Sequence, residues 1–370
     1  MLNAIREYLR SIDKLLVTLC ILCSFVSIAL LFIISEAFPG EFGKRMVVVQ
    51  AAASLLGIVL MVGISIFDYK IYTRLWYIHY PLCILFVLCT FIFGIGRQGA
   101  DDRAWIEIFG INVQPSEFLK VSTILTVAAH ADKVKENVNS FVGITRLCLF
   151  GLIPCALVVL QGDDGSAIIF FLIFACMMFA AGVSYKLVAV ALAGIAVAIP
   201  LAWNFVFSND QKLRFLVLFD DSASSAVVYQ QNAGLKALSS GHVWGNLISG
   251  KPYTYVPEMN NDMIFSFIGN ALGFFGCLIV VAVLFVICIR ILMSCRGVDE
   301  GMQGNVIATG LFAMMAFQAI INIGMNLKIS PVVGITLPFF SAGGSSVLTS
   351  YIAMGVVLSV YRQNHIKMMY

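Results

Sequence analysis

Uncharged apolar stretches of about twenty residues, separated by short polar connections, recur along this chain and limit its fold more than any other feature. In hydrocarbon every backbone N–H and C=O has to be paired within the molecule, which leaves helices or a closed barrel. The stretches, such as 15–35 and 46–67, are continuous rather than alternating, the pattern of spanning helices and not of barrel strands. Composition agrees. Of 370 residues, 60% are hydrophobic and 12% charged, against roughly 25% charged in soluble domains, which excludes a soluble enzyme. A net charge of +3 is too small to argue for nucleic acid.

The chain therefore reads as an all-α integral membrane protein with ten spans, near 15–35, 46–67, 76–96, 115–131, 142–161, 166–182, 186–206, 263–289, 303–324 and 345–361, in one polytopic domain over 1–370. No small-residue cleavage site follows Ser35 and a second apolar run soon begins, so the first span reads as retained. Lys and Arg concentrate on one side: Arg6, Arg10, Lys14, Lys70, Arg74, Lys133, Lys135, Lys186, Arg290, Arg296, Arg362 and Lys367, against Lys44, Arg45, Arg97, Arg103 and Lys328 on the other. That bias places both termini in the cytoplasm. The only long connection, 207–262, is then outside, and 226–238 reads as a short interfacial or re-entrant helix ended by Ser239-Ser240-Gly241.

All ten cysteines lie in or beside apolar spans, so no disulfide framework is implied, and Cys20 and Cys23 read as small packing residues. The four histidines are scattered, which argues against a His-based metal site. His130 and His365 read as exposed residues at inner span ends.

Seven of the ten spans carry no Asp, Glu, Lys or Arg, so no mid-membrane proton relay or ion pathway is expected. Polar clusters gather instead on the outer side, at 99–120, 161–166, 258–262 and 337–346. If they converge, they make a polar cavity open to the outer leaflet. Gln114-Pro115-Ser116-Glu117 opens the fourth span with ordinary helix-start signals, and Glu117 stands three residues before Lys120. Spacing alone reads as a local ion pair; the functional reading has Lys120 meeting an anionic headgroup at the membrane edge, joined by Arg103. Asp163 and Asp164 serve either as turn and N-cap residues or as carboxylates that help hold Mg²⁺ or Mn²⁺ against a pyrophosphate. Asp262, just after Glu258, either caps the following helix or acts as a general base toward a sugar hydroxyl. Ser341, Gly343, Gly344 and Ser345 form a Gly/Ser bend whose amides can bind phosphate oxygens or whose small residues allow close packing. Phosphate loops, zinc helices and nucleophile elbows are absent, so any reaction has to draw on a substrate that arrives activated, such as a lipid diphosphate.

Taken together, Gln114-Pro115-Ser116-Glu117 with Lys120, Pro257-Glu258 with Asp262 and Ile264-Phe265, and Leu337-Pro338 with Ser341, Gly343, Gly344 and Ser345 resemble the SEDS family (shape, elongation, division, sporulation) over nearly the whole chain. Asn322-Ile323-Gly324-Met325 and Pro331-Val332-Val333-Gly334 are similar to its RodA branch more than to FtsW. The chain departs from the family pattern at Gly162, at Asn270-Ala271 where two acids are usual, at Ala342, and in a short stretch between Gly241 and Glu258.

The resemblance implies a peptidoglycan glycosyltransferase of the bacterial cytoplasmic membrane, an inverting hexosyltransferase that polymerises lipid II at the outer face for cell-wall synthesis and cell shape. It carries the essential acid onto Asp262, a neighbouring acid onto Glu258, the cavity pair onto Lys120 and Glu117, the acidic turn onto Asp163 and, approximately, an arginine onto Arg103. It implies lipid II and the growing glycan chain as ligands and a class B penicillin-binding transpeptidase as partner, within an elongation or division complex. No cofactor is required by the sequence, with a divalent cation at Asp163 as the alternative. Two other readings are a lipid II flippase, which calls for inverted repeats, broken helices and mid-membrane polar groups, and a non-catalytic scaffold that recruits the transpeptidase.

Overall fold

A computed structural model describes residues 2–96, 103–205, 207–218, 226–295 and 302–369. Helices stand at all ten expected positions: α1 Lys14–Ala37, α2 Arg45–Ile66, α3 Trp76–Phe93, α4 Pro115–Lys133, α5 Phe141–Leu160, α6 Asp164–Ala180, α7 Tyr185–Phe205, α8 Ile264–Met293, α9 Met302–Asn326 and α10 Gly344–Met369. Among the described residues, eight are long and apolar enough to cross a membrane; α4 and α6 are the exceptions. α6 has 17 residues. α4 is less apolar because it faces protein instead of lipid: Pro115 to Ala131 are buried apart from Phe118. Its hydroxyls are answered inside the bundle, as where Thr126 Oγ1 donates to Ser122 O at 2.8 Å.

Small residues set the closest helix contacts, as expected where lipid offers no hydrophobic drive between helices. Gly57 of α2 lies against the Tyr351 ring of α10, and Gly355 of α10 lies on the Met61 backbone. The Tyr351 hydroxyl, fully buried, pairs with Ser24 Oγ of α1 at 2.7 Å. Cys20 and Cys23 are buried packing residues, and every described cysteine is a free thiol. α7 stands apart, with none of its apolar window buried within the chain.

Three features differ from the sequence-based expectation. His130 is fully buried rather than interfacial and exposed; its ring stacks on Phe150 with centroids 3.9 Å apart and meets Trp76 edge-on at 4.5 Å. Nδ1 bonds to Thr126 O at 2.8 Å, while Nε2 is buried with no hydrogen-bond partner among the described residues. The side chain of His365 lies outside the described residues. α8 is broken at Gly273 (φ 70°, ψ −165°), where the His242 and Val243 carbonyls accept the Phe274 and Phe275 amides. Ile264–Leu272 thus caps the outer end of the bundle, while the twenty residues from Phe274 to Met293 are enough to span. The break thus precedes a stretch long enough to span instead of dividing it. Finally, 106–113 folds as a hairpin: strands β1 Ile106–Ile108 and β2 Ile111–Val113 pair antiparallel, with Glu107 opposite Asn112. Phe109 and Gly110 both have positive φ, as a two-residue type I′ turn requires.

In the long connection the short helix runs from Ala226 to Ser240. Asn270 fastens it: Nδ2 donates to Ala237 O at 3.0 Å, and Oδ1 accepts from Thr254 N at 3.3 Å. An amide serves here because it both donates and accepts.

Candidate active site

The four outer polar stretches converge. The turn 256–262 and the bend 337–346 are joined directly, with Ala342 N donating to Asn260 O at 2.7 Å and Ser341 Oγ donating to Asn261 O at 2.7 Å. Ser341 Oγ also accepts from Leu337 N at 2.7 Å. Each stretch holds a non-glycine residue at positive φ, Glu258 at 56° and Phe339 at 66°. Such residues cost energy and persist where surrounding bonds over-determine them. Two of those bonds are Asn261 N and Met263 N, both donating to Glu258 O at 3.0 Å.

Two asparagines on the last turns of α9 fix Asp262. Asn322 Nδ2 and Asn326 Nδ2 donate to its carbonyl at 2.9 and 3.0 Å, and Asn326 Oδ1 accepts from Ser266 N at 2.8 Å and Ser266 Oγ at 2.7 Å. Asp262 is 2% exposed. Gln50 of α2 closes the opposite side, with Nε2 donating to Ser341 O at 3.1 Å and Oε1 accepting from Gly343 N at 3.2 Å. The Gly343 amide is therefore engaged within the chain, contrary to the expectation that it faces phosphate. Ser341 and Ser345 are likewise internal stitches: Ser345 Oγ accepts from Gln114 N at 3.3 Å.

Lys120 and Glu117 do form the expected pair, Nζ to Oε1 at 2.8 Å. They are 1% and 4% exposed, so Lys120 is enclosed by protein and not open to a headgroup at the membrane edge as the sequence suggests. α4 runs through the middle of the bundle, where a lone ammonium could not be tolerated but a paired one can. With its amide turned to satisfy both neighbours, Gln318 of α9 accepts from Lys120 Nζ at 2.7 Å. The pair lines a chamber with Gln114, Ser166, Gln318 and Thr336 of about 10 Å³, room for one water at most.

A larger groove of about 710 Å³ opens beside it, within the size range of ligand sites. The α1–α2 connection, the hairpin with Trp105, and Glu258, Asn260, Asn261, Gly343 and Gly344 line it. Asp262, buried, is next in chain to Asn261 of this wall. Burial, then Glu41 and Glu258, push the nearby Tyr255 phenol above its ordinary pKa. Arg103 joins neither cavity lining; its backbone N–H donates to Gln161 O at 3.2 Å, which ties it to the acidic turn.

That turn is structural in this geometry. Asp163 Oδ1 accepts from Ser166 N at 3.0 Å as the N-cap of α6, and Oδ2 accepts from Gln114 Nε2 at 2.7 Å. Asp164 Oδ2 accepts from Gln211 Nε2 at 2.6 Å. Among the described residues no three His, Cys, Asp or Glu side chains form a metal-sized group. With both its carboxylate oxygens engaged within the chain, Asp163 does not fit a protein-held cation. Sequence reasoning missed Gln50, Gln318 and the roles of Asn322 and Asn326. Their signal is an uncharged amide within an apolar span, where an unsatisfied polar group is costly.

Residues 10–366 match the family of cell cycle proteins FtsW, RodA and SpoVE. The probable peptidoglycan glycosyltransferase FtsW of Bacillus subtilis (strain 168) is 30% identical over 84% of this chain and 80% of its own length. The peptidoglycan glycosyltransferase MrdB of Escherichia coli (strain K12) is 29% identical over 85% and 84%. Identity thus does not separate the two branches. Among solved structures, a chain from work on the structural coordination of polymerization and crosslinking by a peptidoglycan synthase complex aligns with TM-score 0.79 and 22% identity over 95% of this chain and 98% of that one. The rod shape determining protein RodA of Thermus thermophilus aligns with TM-score 0.70 and 21% identity over 95% and 97%. At such identity these two likenesses are of fold. With nearly its whole length matched, the chain belongs to the SEDS family of FtsW, RodA and SpoVE.

Proposed function

We propose that this chain is a peptidoglycan glycosyltransferase of the bacterial cytoplasmic membrane that polymerises lipid II at the outer face. The observation that carries the reading is the convergence at one end of the bundle: the Glu258–Asp262 turn is bonded to the 337–346 bend, beside a groove large enough for substrate. Asp262 removes the proton from the 4-hydroxyl of the acceptor's N-acetylglucosamine as that oxygen attacks the anomeric carbon of the donor's N-acetylmuramic acid. The new C–O bond forms with inversion to a β-1,4 linkage. The old C–O bond breaks, and its electron pair leaves with undecaprenyl diphosphate, through an oxocarbenium-like transition state. Because Asp262 is 2% exposed, reaching the hydroxyl requires the turn around it to shift. Lys120 and Arg103 offset the negative charge on the departing diphosphate, Lys120 after the small chamber has opened. A general base contributes roughly 10²–10⁴-fold, so orientation in the groove supplies much of the remainder. The partner is a class B penicillin-binding transpeptidase, bound through its single membrane helix.

The test is polymerisation of lipid II by the purified chain, with and without its cognate transpeptidase. Asp262→Ala is expected to abolish glycan formation while the protein keeps its unfolding midpoint. Glycan made by a folded Asp262→Ala protein would remove the proposed role. A leaflet-specific lipid II probe in vesicles separates this reading from a flippase, which moves substrate without lengthening it. A chain that assembles with the transpeptidase yet is inactive in every purified form is a scaffold.

A further inference from the structure

We infer that residues 243–248 of the long outer connection form a wedge seated in the outer leaflet, where lipid headgroups meet hydrocarbon, and that this seat sets the depth of the Asp262 turn against the lipid. The seat itself is independent of the glycosyltransferase reading; its consequence for the reaction rests on that reading.

The segment is built inside out. Val243, Trp244, Leu247 and Ile248 are exposed, Trp244 by 61% and Ile248 by 74%, whereas Asn246 is buried and its Nδ2 donates to Pro252 O at 3.2 Å. Apolar side chains grouped in this way mark a contact with lipid or protein. Depth follows from what the segment touches. The His242 and Val243 carbonyls accept the Phe274 and Phe275 amides, and the Trp244 ring stands 5.1 Å from that of Phe275. Crossing the hydrocarbon takes about twenty residues, and the stretch from Phe274 to Met293 has no length to spare. Its first turn therefore marks the outer edge of the hydrocarbon, and Trp244 shares that level. An indole suits the boundary, with an apolar body and a polar N–H. Phe274, Phe275, Leu278 and Ile279 are exposed as well, so the wedge continues a flank of α8 that lipid already covers. His242 and Lys251, both exposed, bound the apolar run and can reach lipid phosphates.

Glycines join this wedge to the half-helix behind Asp262. A Cβ on Gly241 would strike the Gly269 carbonyl, one on Gly245 the Ala271 carbonyl, and one on Gly273 the Gly245 nitrogen. Gly245 and Gly273 also hold positive φ, at 80° and 70°, which glycine adopts without strain. Contact of backbone on backbone leaves no side chain to absorb a displacement, so 241–245 and 264–272 move as one piece. That piece opens just after Asp262. A wedge held by the leaflet therefore holds the Asp262 turn at a fixed distance from the lipid, where a lipid-linked sugar has to meet it.

The test reads Trp244 fluorescence in vesicles, as the difference between the full-length chain and Trp244→Phe. The vesicles contain phosphatidylcholine brominated either near the ester end or near the methyl end of its acyl chains, and iodide is the quencher in water. The Trp244 signal is expected to be lost to bromine near the ester end, less to bromine near the methyl end and least to iodide. Loss to iodide with none to bromolipid puts the wedge in water, and protection from both puts it against protein, a second copy included; either overturns the inference. Leu247→Glu with Ile248→Glu, at two exposed positions, should shift Trp244 from bromolipid to iodide quenching while the unfolding midpoint is kept. In vesicles this double variant should polymerise lipid II at least about tenfold more slowly, since small misplacements of reacting groups are this costly. Unchanged polymerisation in a variant whose Trp244 has moved into water overturns the link to Asp262. The expected quenching in a chain that makes no glycan at all keeps the seat and removes the glycosyltransferase reading instead.

Discussion

Replacing Lys120 by Met tests whether the charge in the middle of the bundle is there for stability or for the reaction. Met matches the stem of Lys in length and flexibility, so packing changes little. What changes is Glu117. Its Oε1 loses the ammonium at 2.8 Å, and Oε2 already has no hydrogen-bond partner among the described residues. Gln318 loses its donor at 2.7 Å. A carboxylate that is 4% exposed is then left unpaired, a loss of about 3–5 kcal/mol when one partner of a buried pair is removed. Adding Glu117→Gln removes the stranded charge, and the double variant should recover at least about 2 kcal/mol of that loss. The assay is equilibrium unfolding of the purified chain in mixed micelles for wild type, both singles and the double, with lipid II polymerisation measured on each. A double variant that regains stability but not polymerisation places the pair in the chemistry; one that regains both makes it a packing device. A Lys120→Met loss below about 1 kcal/mol, or a double no more stable than the weaker single, would refute the argument from buried charge.

Three further outcomes follow from particular contacts. Asn326→Ala strands the Ser266 amide and hydroxyl and halves the hold on the Asp262 carbonyl; it should cost about 2–6 kcal/mol, at about 1–3 kcal/mol for each stranded group, and lower kcat more than it raises KM, whereas an unchanged kcat would show that the Asp262 backbone needs only Asn322. Asp163→Asn keeps the α6 cap, since Asn caps as well as Asp, once Gln114 turns its amide; stability should fall by less than about 1 kcal/mol, and polymerisation that loses a dependence on divalent cation only in this variant would restore the metal reading. Gly57→Ala drives a methyl into the Tyr351 ring, which its bond to Ser24 holds in place; a loss of about 1–3 kcal/mol in unfolding is expected from overpacking, and a neutral result would mean that α2 and α10 can separate freely.

Much of this architecture was legible because a membrane chain has few ways to satisfy its backbone. All ten expected positions hold helices, and the helix in the long connection begins at Ala226 as read. The pairing of Glu117 with Lys120 followed from their three-residue spacing. What stayed hidden was long-range. Nothing in the local pattern of α4 says that it is enclosed by its neighbours, so Lys120 read as a surface cation. His130 stood near a span end, but its burial depends on Phe150 and Trp76, which come from two other helices. The break at Gly273 depends on carbonyls of His242 and Val243, about thirty residues earlier in the chain. A glycine alone in an apolar run carries no such information.

The place of the site follows from the cost of burying polar groups. Asn322, Asn326 and Gln50 belong to apolar spans, yet each is bonded to backbone of the outer turn or bend near the outer ends of the helices. At mid-depth the same amides would need partners from helices that offer mainly apolar side chains. At the boundary, the 258–262 turn and the 337–346 bend provide carbonyls and amides that no regular helix can satisfy. Helix amides and irregular backbone thus answer one another, and the irregular backbone is what brings the Glu258–Asp262 turn against the bend that carries Gly343 and Gly344. Non-helical chain at this depth is tolerated where it is buried in protein or lines a wet cavity. Both conditions hold here, and the groove is the consequence.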